Sequence, residues 1–237
     1  MTAPKLAISD VSVEFGGVKA VNDVSIDSAG DALAIVGANG AGKTTLLNAV
    51  SGFVPMRHGR VAFDGAALDR GAARRAVSGV GRSFQHPHLM EDLTLEENVR
   101  GSRRGLATGE VRDAMAEFGL TDWMHRQIHE LPYGIRKIAD LLRAVLVGRR
   151  LLLCDEPFSG LDEHGRDAMT VCLLAIKARG CLLVVVEHDL DRVMTVVDQF
   201  VVLNFGTKIF DGDPGDAMRD AAVREALTGL VVSEERA

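Results

Sequence analysis

Ala32-Leu33-Ala34-Ile35-Val36 is a compact apolar run that ends in Gly37-Ala38-Asn39-Gly40-Ala41-Gly42-Lys43-Thr44-Thr45, with Leu46-Leu47-Asn48-Ala49-Val50 next and Gly52 beyond. The run has strand length, the residues after the glycines have helical character, and Gly52 reads as a helix stop. Strand, glycine loop and helix arrive in that order, which predicts an α/β domain with its ligand at the loop. A chance glycine-rich turn would require neither the strand before it nor the helix after it.

Residues 37–44 satisfy G-x-x-x-x-G-K-[ST], the pattern whose glycines let backbone N–H groups close around phosphate oxygens while a helix start adds its positive dipole end. The candidate nucleotide-binding residues are therefore Gly37, Asn39, Gly40, Ala41, Gly42, Lys43, Thr44 and Thr45. Lys43 would place its ammonium between the β- and γ-phosphates, and the Thr44 hydroxyl would ligate Mg²⁺. By itself the loop specifies only a nucleoside triphosphate; a small-molecule kinase or a GTPase would share it. A GTPase should also carry an N-K-x-D base-reading motif, and the sequence has none.

Leu151-Leu152-Leu153-Cys154 delivers Asp155 and Glu156 at the end of a second apolar run. In parallel α/β sheets that edge is where ligands bind. Asp155 could complete a Mg²⁺ shell and Glu156 could act as general base on the attacking water. On an extended chain the two carboxylates would point to opposite sides and take separate roles. An isolated acidic pair would more simply be a polar strand end; downstream of a phosphate loop it is not isolated.

Around these stretches, residues up to 35 read as short β segments, with a turn at Phe15-Gly16-Gly17. A second turn is expected at Asp64-Gly65, after Val61-Ala62-Phe63. Residues 96–146 read as mostly helical, with breaks at Gly101, Gly105, Gly109, Gly119 and Pro132. Residues 151–154 and 181–186 are strand-length apolar runs flanking a helix at 163–178, a β-α-β unit and so a parallel sheet. A closing hairpin is expected at 200–210, one helix at 213–227 and a loose end at 233–237. The expected organisation is one domain over 1–237: residues 1–85 and 147–237 form the core with an antiparallel β-subdomain, and about 86–146 form a helical subdomain.

Bulk properties narrow the function. The chain has 237 residues, 47% of them hydrophobic, and no apolar run near the ~20 residues a membrane helix needs. Residues 1–8 lack a secretory signal's apolar run, so a cytoplasmic protein is expected. Net charge is −6 and the arginine pairs are interleaved with acids, which argues against nucleic acid as a partner. The three cysteines have no metal-ligand spacing and read as packing residues in a reducing compartment.

At this point the chain resembles the ABC ATPase family, whose fold is a P-loop NTPase (RecA-like) core with a parallel sheet, an antiparallel β-subdomain and a helical insertion. Asp155-Glu156-Pro157 and Ser159-Gly160-Leu161-Asp162 are similar to its Walker B and D-loop. Val184-Val185-Val186-Glu187-His188-Asp189 resembles its switch-histidine strand, and Gln85 in Arg82-Ser83-Phe84-Gln85 its Q-loop. The resemblance implies ATP and Mg²⁺ as ligands, Gln85 touching Mg²⁺ or the lytic water, His188 contacting the γ-phosphate, Asp162 near the nucleotide and Phe15 stacking on adenine. Leu131-Pro132-Tyr133-Gly134-Ile135 corresponds to the family's Leu-Ser-Gly-Gly-Gln signature, which reaches across a dimer to the partner's γ-phosphate. Pro132 has neither hydroxyl nor N–H, and Ile135 has no polar group, although Gly134 still allows close approach. Pro132, Tyr133 and Gly134 are thus candidates for an impaired contact with the partner's nucleotide, and a heterodimer with an intact second cassette is expected, a homodimer being the alternative.

Residues 15–21, 82–85, 133–134 and 223–229 further resemble the ATPase subunits of bacterial branched-chain amino acid importers, whose relatives carry urea or short amides. That resemblance implies transmembrane permease subunits, indirectly a substrate-binding protein, and a place on the inner face of the cell membrane, with residues 86–98 transmitting motion to the permease. Rival readings are a soluble ABC ATPase of DNA repair or translation, a P-loop kinase, and a non-hydrolysing regulatory module. The first lacks its second cassette, coiled coil or basic surface; the second leaves residues 159–162 and His188 without a role; Lys43, Asp155, Glu156 and His188 weigh against the third.

Overall fold

The computed structural model describes residues 5–68 and 71–234, with side chains described through residue 227. Strands β1 (Leu6–Phe15) and β2 (Val18–Asp27) form an antiparallel hairpin whose turn is Gly16-Gly17. Strand β3 (Ala32–Val36) leads through the glycine loop to helix α1 (Lys43–Ser51), which Gly52 stops in the left-handed conformation as anticipated. Next come β4 (His58–Phe63), the Asp64-Gly65 turn, β5 (Ala66–Ala67), helix α2 (Ala72–Val77) and β6 (Val80–Ser83). Helices α3 (Leu95–Gly101), α4 (Thr108–Glu117) and α5 (Tyr133–Val147) follow, with two short 3₁₀ turns before α5. The chain then runs through β7 (Leu151–Asp155), α6 (Glu163–Ala178), β8 (Leu182–Val186), α7 (Leu190–Met194), β9 (Gln199–Asn204) and β10 (Thr207–Gly212). It closes with α8 (Pro214–Arg219) and α9 (Ala221–Glu234).

Two sheets organise these elements. One is antiparallel in the order β2-β1-β4-β5; the other runs β10-β9-β3-β8-β7-β6, parallel except for β10 at its edge. Every residue of β3, β7 and β8 is buried, as strands covered on both faces require. Alternate residues serve different cores. Leu33, Leu153 and Val184 pack with α1 and the antiparallel sheet, whereas Ala34, Leu152 and Val185 pack with α5 and α6. All three cysteines are buried, and burial lifts their thiols, Cys154 to about 12 and Cys172 and Cys181 to about 11.

Several expectations need correction. The single helix expected at 213–227 is two, because Asp220 leaves the helical conformation and its carboxylate accepts from the N–H groups of Ala222 and Val223, capping α9. Gly109 does not break a helix but lies in the first turn of α4. The segment expected to be loose from residue 233 is helical through Glu234, and 235–237 lie outside the described residues. Strand β6 and helix α2 were not anticipated.

Candidate functional site

The glycine loop sits between the C-terminal end of β3 and the first turn of α1, and its backbone demands glycine. Gly37, Gly40 and Gly42 all have positive φ, and a Cβ on Gly42 would lie 2.4 Å from the Ala20 carbonyl of β2. Helix α1 has no side-chain cap and no acidic residue in its first turn, so its N-terminal N–H donors are not claimed by a side chain. Lys43 is 6% exposed and its Nζ donates to the Gly37 and Ala38 carbonyls at 2.7 and 2.9 Å. Burial holds its pKa below the usual lysine range, partly offset by Glu156, Asp155 and Glu187. Residues 39–45, Ala20 and Glu156 line a pocket of about 190 Å³. Phe15 lies half exposed at the end of β1, beside the hairpin turn.

At the end of β7 the two carboxylates part company, for a reason other than pleating. Asp155 is the last residue of the strand, but Glu156 adopts φ 45°, outside the extended region, so the backbone turns there. The expected opposition of two side chains on an extended chain is corrected accordingly. Asp155 accepts from the Thr44 hydroxyl at 3.2 Å and pairs with Arg82 at 2.7 Å, both side chains of the ion pair being under a tenth exposed. Glu156 instead accepts from Gln85 Nε2 at 2.9 Å, and the same oxygen lies 3.8 Å from His188 Nδ1. Gln85, Glu156 and His188 thus converge, next to the Lys43-Thr44 loop.

Other candidates have local partners. Asp162 caps α6, accepting from the Gly165 N–H at 2.8 Å. Pro132 is the residue before α5, and that helix has no side-chain cap. The Tyr133 hydroxyl donates to the Gln85 carbonyl at 3.3 Å, and its ring lies so close to Gly160 that a Cβ there would stand 2.9 Å from it. Gly134 has only Leu161 near its missing Cβ, so the surface there stays low.

Three charged residues of the site went unassigned in the sequence. Arg82, read only as a neighbour of Gln85, pairs with Asp155 and lies 5.3 Å over the Phe84 ring. Lys137, buried in α5, donates to the Glu156 carbonyl at 2.6 Å. Glu187, fully buried, ends the all-apolar run of β8. The available signal was a charge at a position whose neighbours predict burial, as in Val184-Val185-Val186-Glu187. Beside Arg82, a cavity of about 270 Å³ opens between β6, α2 and α5, with Phe53 edge-on to Phe84 and Phe84 stacked on His88.

The chain is similar to known proteins over most of its length. Residues 21–159 match the family model described as ABC transporter. The high-affinity branched-chain amino acid transport ATP-binding protein BraF of Pseudomonas aeruginosa is 29% identical, covering 97% of this chain and 99% of that protein. LivG of Escherichia coli K12, of the same description, is 27% identical over equal shares, and the taurine import ATP-binding protein TauB of Shigella boydii is 30% identical over 85% of this chain and 80% of its own. Among solved structures, the ADP conformation of MJ1267, an ATP-binding cassette of an ABC transporter, superposes with a TM-score of 0.86 at 26% identity, covering 96% of this chain and all of that one. The match spans more than half of the sequence and both sheets, and the chain belongs to the ABC transporter family as one of its ATP-hydrolysing cassettes.

Proposed function

We propose that this chain is the ATP-binding and ATP-hydrolysing subunit of a bacterial importer for branched-chain or other amino acids or small amides, and that it works beneath transmembrane permease subunits as one of two paired cassettes. The observation that carries the reading is the convergence of Gln85, Glu156 and His188 beside the Lys43-Thr44 loop. In this reading Lys43 exchanges the Gly37 and Ala38 carbonyls for phosphate oxygens, and the open N–H groups at the start of α1 hold the remaining charge. Glu156 takes a proton from the attacking water, which Gln85 orients, and His188 donates toward the γ-phosphate. The oxygens of Thr44, Asp155 and Gln85 suit Mg²⁺, a hard cation that would neutralise charge on the β- and γ-phosphates when bound.

The signature at 131–135 makes the pair asymmetric. Pro132 and Ile135 withdraw contacts from the nucleotide on the opposite cassette, so that site turns over slowly while the site on this chain is completed by an intact partner. Permease subunits are proposed to dock at the cavity lined by Phe53, Phe84 and His88, next to residues 86–98. The sequence similarity to BraF and LivG supports the amino acid assignment.

Co-purification from the native membrane tests the proposal. A second cassette with an intact signature and polytopic membrane subunits should accompany the chain. Recovery with ribosomes or DNA, or a purified chain with no affinity for ATP in the presence of magnesium, would end it.

A further inference from the structure

Glu187 stands at the end of β8 with its side chain wholly excluded from solvent. One carboxylate oxygen accepts from the Phe158 N–H at 2.8 Å, and the other accepts from the N–H groups of His188 and Asp189 at 2.9 and 3.2 Å. Phe158 belongs to the segment between β7 and α6 that carries Glu156 at one end and Asp162 at the other. His188 and Asp189 form the turn into α7. One carboxylate therefore joins the backbones of two loops far apart in sequence, both of which bear residues of the proposed hydrolytic site.

The junction is reinforced on each side. The Glu156 N–H donates to the Val186 carbonyl at 2.9 Å, and the Glu156 carbonyl accepts from Lys137 at 2.6 Å. Burial raises the Glu187 pKa, and the three N–H donors and the nearby His188 oppose that rise; Lys137 and Lys43 feel the carboxylate in turn. A buried carboxylate without a cation in hydrogen-bond contact is costly, and a neutral side chain of the same size would pack as well. What the carboxylate adds is acceptor capacity on both oxygens, enough for three backbone donors at once.

We infer that Glu187 is a positioning residue that clamps the 157–162 loop to the His188 turn, so that the two segments shift as one body when the site engages nucleotide. The inference rests on the proposed role of Glu156 and His188 in hydrolysis.

Glu187→Gln tests it, because the amide keeps the volume and one acceptor but turns a donor toward backbone N–H groups. In the full-length chain, hydrogen exchange followed amide by amide should speed up at the segment that comes to face the amide nitrogen, Phe158 if the oxygen keeps the two donors of the His188 turn, while the ATP KM stays close to wild type. The kcat should fall by about 10²-fold, the scale of a misplaced catalytic group. Unchanged exchange at both segments, or an unchanged kcat with altered exchange, overturns the clamp. If the variant does not fold, the wild-type chain still decides: Phe158 and His188 amides should show matched protection that changes together on adding ATP and magnesium, and free exchange at Phe158 sinks the idea. A wild-type chain that neither binds nor hydrolyses ATP would instead fail the proposed function, leaving the measured clamp intact.

Discussion

Arg82 and Asp155 form an ion pair of 2.7 Å in which both side chains are almost fully buried, at the junction between the groove at Phe84 and the proposed magnesium site. Removing one partner strands the other charge. Arg82→Ala should cost about 3–5 kcal/mol of unfolding free energy. Arg82→Ala with Asp155→Ala should cost clearly less than the sum of the two single changes. Denaturant unfolding of the four proteins measures both numbers, and simple additivity would show that the pair is not coupled.

Glu156→Gln should reduce ATP hydrolysis by about 10²–10⁴-fold, the usual contribution of a positioned general base, with ATP affinity retained. Gln85 still has a partner at that position. Steady-state turnover beside equilibrium nucleotide binding separates the two effects, and wild-type turnover would remove Glu156 from the role of base.

Lys43→Met should abolish the rise in melting temperature that ATP gives the wild type, yet leave the nucleotide-free chain no less stable at pH 7. The sign follows from the lowered pKa of Lys43. A base depressed in the folded state stabilises only above its unfolded pKa, near 10.4, and that contribution is lost as pH falls through the folded value. At neutral pH the buried ammonium is thus a cost, which nucleotide relieves. Melting scans from pH 7 to pH 10 should show the variant's relative advantage shrinking as pH rises; a large deficit at pH 7 would refute the account.

Gly81→Ala should be severely destabilising, by more than about 4 kcal/mol, since a Cβ on β6 would stand 2.1 Å from the Ala144 carbonyl of α5. Gly101→Ala, at the end of α3 with nothing near its missing Cβ, should instead be neutral or stabilise by up to about 1 kcal/mol. Thermal unfolding distinguishes them.

Restoring the signature offers a fifth test. Pro132→Ser combined with Ile135→Gln should raise ATP turnover by the chain alone by about 10²-fold, the scale of a recovered oxyanion donor. No gain would mean that the signature does not limit the rate.

These predictions draw unequally on what the sequence makes legible. The strand, loop and helix at 32–51, the β-α-β unit and the edge bearing Asp155 and Glu156 follow from apolar periodicity and glycine placement, and all are present. Strand β6 is not legible in the sequence because Val-Gly-Arg-Ser has one apolar residue; it exists through its pairing with β7 and the close approach of α5 to Gly81. The partners of Arg82, Lys137 and Glu187 lie 73, 19 and 29 residues away, distances no local pattern encodes. Likewise the turn at Glu156 depends on a left-handed conformation that a glutamate does not advertise.

The three native thiols, each enclosed and poorly ionised, also make the protein a ready chassis for spectroscopy. A cysteine introduced at exposed Val171 on α6 should react with a maleimide dye at neutral pH well ahead of the enclosed native thiols. With donor and acceptor dyes on two populations of the chain, energy transfer between them would test the proposed pairing of cassettes.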